Sequence, residues 1–104
     1  MTNKVPVYWA QEAQLNLKSI RQYIAKDNPG AATAFIRRIR ARARKIGVMP
    51  TAGVPVVESS ESNVRETYVG SYRIIYRAAE DRVRILMVVH GARLLSDDHL
   101  RKIS

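Results

Sequence analysis

Arginines and tyrosines alternate along Tyr72-Arg73-Ile74-Ile75-Tyr76-Arg77. In an extended strand successive side chains take opposite faces, so Tyr72, Ile74 and Tyr76 point one way and Arg73, Ile75 and Arg77 the other. Arg65 and Arg84 fall in the apolar runs on either side. Arginines recurring on adjacent strands would make a basic concave face with tyrosines at hand. Such a face suits binding and distorting RNA, where a guanidinium can also stabilise a pentacovalent phosphate. The same alternation equally describes a solvent face whose arginine stems cover apolar neighbours. Two histidines are present, His90 just before Gly91-Ala92-Arg93 and His99 near the C-terminal end. A lone histidine closing a strand is more often a hydrogen-bonded structural residue than a base, although its ordinary pKa permits proton transfer. No HExxH, P-loop, GxSxG or paired-carboxylate motif occurs, and there is no cysteine. Serine-hydrolase and metalloenzyme chemistry are unsupported, thiol chemistry and disulfides are excluded, and no cofactor or metal is expected.

A second basic feature lies upstream. Arg37, Arg38, Arg40, Arg42, Arg44 and Lys45 crowd one segment with no acid among them. On a helix Arg37, Arg40 and Arg44, three and four apart, share a stripe that could hold phosphates or an acidic partner segment. A solvated helix face is the plain alternative, since like-charge neighbours cost only tenths of a kcal/mol each. Across the chain 18 Lys and Arg oppose 9 Asp and Glu, a net charge of +9. That balance favours a polyanionic partner such as nucleic acid, the ribosome, an acidic protein or a membrane surface.

The elements that must position these residues follow from periodicity. Val5–Trp9 is a short β-branched and aromatic run, and Pro6 restricts it to an edge or terminal strand. Trp9, Ala13, Leu17, Ile20 and Ile24 then mark one face of an amphipathic helix. Asp27-Asn28-Pro29-Gly30 interrupts it, with Asn28 as a cap and Pro29 in the first turn of a second helix. That helix buries Ala32, Phe35, Ile36, Ile39, Ala43 and Ile46, and is expected to end at Gly47 with Pro50 as a stop. So short a connection makes an antiparallel helical hairpin. A loop from Pro50 to about Asn63 precedes three strands, Val64–Val69, Tyr72–Ala78 and Val83–His90, the first two joined by a Gly70-Ser71 turn. The third is apolar enough to be central, and Ser96–Ser104 reads as a short, frayed terminal helix. The order is β-αα-βββ, an α+β fold with the hairpin on one face of a mostly antiparallel sheet.

The 104 residues make one domain, with no repeat or dividing linker. No run of eighteen apolar residues occurs, and the start Met1-Thr2-Asn3-Lys4-Val5-Pro6 lacks a signal-peptide core, so a cytoplasmic protein without a membrane partner is expected.

Four segments, in order and over nearly the whole chain, resemble the RelE/ParE toxins. They are Tyr23-Ile24-Ala25-Lys26-Asp27-Asn28-Pro29, Val64-Arg65-Glu66, Val69-Gly70-Ser71-Tyr72-Arg73-Ile74-Ile75-Tyr76-Arg77 and Val89-His90-Gly91-Ala92-Arg93. The resemblance implies a growth-arresting toxin of the plasmid-stabilisation type. Its cognate antitoxin would carry an acidic, partly disordered segment, and operator DNA would be reached only through that antitoxin. Two activities share this fold, inhibition of DNA gyrase in ParE-like members and ribosome-dependent mRNA cleavage in RelE-like members. Against the RelE pattern Arg73 and Arg93 match its arginines, Val64 and Glu66 stand where two lysines are expected, and His99 stands where the C-terminal tyrosine falls. The helical hairpin, the Asp-Asn-Pro corner and the His-Gly-Ala-Arg ending are nearer ParE, and gyrase inhibition is the favoured expectation. Arg65, Arg73, Arg77, Arg84 and Arg93 on the sheet, and Arg37, Arg40 and Arg44 on the second helix, would then bind target or antitoxin. Under the ribonuclease alternative Arg73 and Arg93 would steady the phosphate, and His90 or His99 would move the proton. A decayed relative serving only as an antitoxin partner is the third reading.

Overall fold

A computed structural model describes residues 4–104. Met1, Thr2 and Asn3, the first residues of the leaderless start expected above, lie outside the described residues. Strand β1 (Val7–Trp9) leads into helices α1 (Gln11–Ala25) and α2 (Pro29–Val48). Strands β2 (Val54–Pro55), β3 (Val64–Val69), β4 (Tyr72–Ala78) and β5 (Val83–His90) follow, and helix α3 (Asp97–Lys102) closes the chain. The sheet order is β1-β5-β4-β3-β2, with β1 parallel to β5 and the other pairs antiparallel. This is the expected α+β architecture, with one added strand. Val54-Pro55, read as loop from sequence, pairs with Glu66 and Arg65 at the sheet edge, where a proline lacking an N–H is tolerated.

The helical hairpin forms for the expected reasons. Asn28 caps α2 by accepting from the Ala31 N–H at 3.0 Å, and Pro29 occupies the first turn. Ala13, Leu17 and Ile20 of α1 and Ile39, Ala43 and Ile46 of α2 pack on Val69, Ile74, Tyr76, Val83, Ile85 and Val88 of the sheet. Gly47 does not end α2 as expected. It lies buried inside the last turn, where a Cβ would come within 2.8 Å of the Val5 carbonyl oxygen. The glycine lets the N-terminal strand approach the helix, and the Val5 N–H donates to the Gly47 carbonyl at 3.0 Å. At Gly70 the reading holds, since φ is +57° in the two-residue turn between β3 and β4.

The sheet's other face differs from the open basic surface expected. It carries a second apolar core in which Val56, Val64, Ile75, Leu86, Met87 and Val89 pack with Leu100 and Ile103. A bulge supports it. Ile75 pairs with Met87 but Tyr76 with Ile85, leaving Leu86 as the extra residue, and both Leu86 and Met87 join this core. Helix α3 is anchored rather than frayed, because Leu100 is fully buried and Ser96 caps the helix by accepting from the His99 N–H. No helix among the described residues is long and apolar enough to cross a membrane.

Candidate functional site

The hairpin register decides where each arginine goes. Tyr68 pairs with Arg73 and Val64 with Arg77, while Arg65 pairs with Tyr76. Directly paired residues share a face, so Arg73 and Arg77 lie on the side roofed by α3, and Arg65 lies on the helical-hairpin side. The four sheet arginines therefore do not form one basic surface. Arg65 instead donates to the Gly53 carbonyl at 2.7 Å and holds the loop leading to β2. Arg84 pairs with Arg77, and its guanidinium lies 5.7 Å from the Tyr8 ring centroid.

Arg73 is the centre of the roofed face. It is 4% exposed and bound on two sides by carboxylates. Its Nη1 and Nη2 donate to the two oxygens of Glu58 at 3.0 and 2.9 Å, a bidentate fork. Nη2 also donates to Glu66 at 2.8 Å, and Nη1 to the Arg93 carbonyl at 3.3 Å. Hydrogen bonding from Arg73 holds the Glu58 carboxyl below its ordinary range, and the two glutamates in turn raise the arginine pKa further above its already high value. Arg77 makes the neighbouring clamp, donating to Glu61 at 3.0 Å and to the carbonyls of Ile103 and Leu100 at 2.8 and 3.2 Å. Asp97 of α3 accepts from the Ser60 N–H and hydroxyl, and those bonds depress its pKa. Polar contacts from three elements thus seal the β2–β3 loop and α3 over the sheet.

The groups expected to move a proton stand apart from this cluster. His90 pairs with Tyr72, on the face opposite Arg73, and packs edge-on against the Tyr72 ring with centroids 5.7 Å apart. Its Nδ1 accepts from the Ala92 N–H at 3.2 Å, which serves the turn that follows β5. His99 contacts Glu12 of α1 through Nε2 at 2.6 Å. Arg93 approaches Arg73 only through its carbonyl, and its side chain is exposed. His90 and Arg93 share a hollow beside Tyr72, but Arg73 and His99 do not line it, so the four are not assembled around one point. Among the described residues no cluster of His, Asp or Glu could hold a metal ion.

Glu58, Glu61 and Asp97 were missed in the sequence, and Glu66 was noticed only as a residue standing where a cation was expected. For Glu66 a signal existed. A two-residue turn at Gly70-Ser71 sets Glu66 opposite Ile75, one same-face position along from Arg73. Glu58 and Asp97 had none, since they come from a loop and a terminal helix. Exposed apolar side chains rim the seal: Tyr68 is paired across from Arg73, while Val57 and Leu94 are sequence neighbours of Glu58 and Arg93. On α2, Arg37, Arg40 and Arg44 are exposed, as the stripe predicted, with the Arg40 guanidinium 5.6 Å from the Trp9 ring centroid.

Residues 7–95 match the family described as the ParE toxin of the type II toxin–antitoxin system parDE. Toxin RelE2 of Caulobacter vibrioides is 32% identical over 89 residues, which is 85% of this chain and 97% of the relative. The chromosomal ParDE system of P. aeruginosa shares the fold at a TM-score of 0.69 and 17% identity, over 84% of this chain and 96% of that one. The toxin–antitoxin complex RelBE2 of Mycobacterium tuberculosis does so at 0.61 and 21% identity, over 89% and 100%. The chain belongs to the ParE toxin family, within the RelE/ParE superfamily of type II toxin–antitoxin toxins.

Proposed function

We propose that this toxin arrests growth by ParE-like inhibition of DNA gyrase, acting by binding and not by catalysis, and that a cognate antitoxin with an acidic segment neutralises it. The observation that carries this reading is the state of Arg73. A guanidinium that stabilises a phosphoryl transition state needs donors free to meet the developing charge. Here the two terminal nitrogens of Arg73 are committed to Glu58, Glu66 and the Arg93 carbonyl. Two carboxylates beside it would also repel a phosphodiester. His90 faces away and His99 is engaged by Glu12. Exposed side chains that can meet a macromolecular target include Arg93, Tyr68, Val57 and Leu94 near the seal, with the α2 stripe elsewhere. A basic surface of net charge +9 supports an acidic antitoxin segment as partner.

RelE-like mRNA cleavage is the competing reading, favoured by the name of the Caulobacter relative. Purified protein should abolish negative supercoiling by gyrase while leaving mRNA intact in a translating extract. Codon-spaced mRNA cuts with normal supercoiling would overturn the proposal in favour of cleavage. Inactivity in both assays would overturn it in favour of a decayed toxin.

A further inference from the structure

Charge is unevenly distributed over this molecule. Five of the nine acids, Glu58, Glu61, Glu66, Asp97 and Asp98, pair with arginines or lysine on the roofed face and α3, while Glu12 at the start of α1 meets His99 and Asp27 lies at the hairpin corner. The outside of the helical hairpin has the opposite character. Two adjoining hollows between α1 and α2 share Arg21, Ile36 and Arg40, and Lys18 and Arg37 complete their basic lining. No acid lines either hollow, and among the described residues none of these four cations is within 4 Å of a carboxylate. Arg44 continues the α2 wall one turn further on. Arg40 is held in place by the Trp9 ring, so part of the cost of ordering it on binding is already met.

We infer that this groove binds the phosphate backbone of duplex DNA, a contact made by the toxin itself and additional to any made through an antitoxin. Its two walls are rigid helices. Arg37 to Arg44 spans about 10 Å at the helical rise of about 1.5 Å per residue, and this fixed array suits the regular phosphates of a duplex. Single strands are gripped by stacking bases on exposed aromatic rings. Among the described residues no aromatic lines the groove, and the nearby Trp9 ring is already covered by Arg40. An acidic protein segment would seek apolar anchorage as well as charge. The apolar floor here is Leu17, which is buried, and Ile36, which is packed into the core. The inference is independent of the gyrase reading.

The test is fluorescence anisotropy of a labelled duplex of arbitrary sequence, titrated with toxin at about 50 to 200 mM salt. Five phosphate contacts predict a log–log salt slope near −4.5, so affinity falls about 500-fold over that range. The variant Arg37→Gln/Arg40→Gln/Arg44→Gln should have a slope near −1.8 and lose only about 12-fold. Lys18→Gln/Arg21→Gln, on the opposite wall, should bring the slope to about −2.7, which keeps the test open if the triple variant fails to fold. Arg82→Gln, on the β4–β5 turn, should bind as the unsubstituted protein does. A folded groove variant with an unchanged slope would overturn the inference. So would tighter binding of single-stranded DNA than of the duplex, or tighter binding of a poly-glutamate peptide that is lost in the Arg37→Gln/Arg40→Gln/Arg44→Gln variant.

Discussion

Replacing Arg73 with methionine tests whether the sealed face is a structural device. The substitution keeps a long, flexible stem but removes a guanidinium that is 4% exposed and bonded to Glu58, Glu66 and the Arg93 carbonyl. Glu58, with 18% of its side chain exposed, can regain some hydration, whereas Glu66, at 8%, cannot move into water without opening the roof. The larger cost is therefore the stranded Glu66 carboxylate. Breaking a buried ion pair in this way costs about 3–5 kcal/mol. At roughly 4 °C per kcal/mol for a domain of this size, the thermal midpoint should fall by about 12–20 °C. Urea unfolding with an unchanged m-value, checked by calorimetry, measures the loss. Replacing Glu66 with leucine in the Arg73→Met background should recover part of it, with a coupling of about 1–3 kcal/mol in the double-mutant cycle. Arg73→Lys should restore little, since an ammonium cannot reproduce the fork to Glu58 and also reach Glu66. Arg73→Met lying within about 1 kcal/mol of the parent, with no coupling to Glu66, would refute the reasoning. The guanidinium would then be free in solution and available for phosphate chemistry.

Acid should loosen the same roof. Glu58 and Asp97 have carboxyl pKa values below their ordinary 4.5 and 3.8, through hydrogen bonds from Arg73 and from the Ser60 N–H respectively. Depressed carboxyls contribute stability that is complete above those ordinary values and is lost as pH falls through the folded-state ones. Stability measured from about pH 6 to pH 2 should fall steeply below about pH 4.5, and more gently in Arg73→Met. Tyr76→Phe should cost about 1–3 kcal/mol, because the buried hydroxyl donates to the Pro50 carbonyl and accepts from the Gly53 N–H. Hydrogen exchange should show the gain in mobility confined to the Pro50–Gly53 turn, and uniform loosening would count against that role. Ile39→Asp should leave no folded protein by circular dichroism, since it would bury an unpaired charge at a position with no exposure.

The sequence by itself determined the elements whose signals are local. Periods of 3.6 and 2, the Asn28-Pro29 helix start and the Gly70-Ser71 turn placed both long helices and the three main strands, because each depends on neighbours within a few residues. It also determined the charge excess and the helix stripe, since Arg37, Arg40 and Arg44 need only helical geometry to share a face. Tertiary structure alone decided what the sheet arginines are for. Alternation correctly put Arg73 and Arg77 on one face, but whether that face met water depended on Leu100 and Ile103 reaching it from the far end of the chain. The partners of Arg73 and Arg77 are equally non-local, Glu58 and Glu61 from a loop and the carbonyls of Leu100 and Ile103 from α3. Pairing register moved Arg65 to the opposite side, and close approach of β1 turned Gly47 from an expected terminator into a buried contact. A guanidinium has the same charge in any context. Whether it binds a target or holds a fold depends on the carboxylates that reach it, and here folding brings Glu58 and Glu66 to Arg73 and, among the described residues, leaves the hairpin cations without a carboxylate partner.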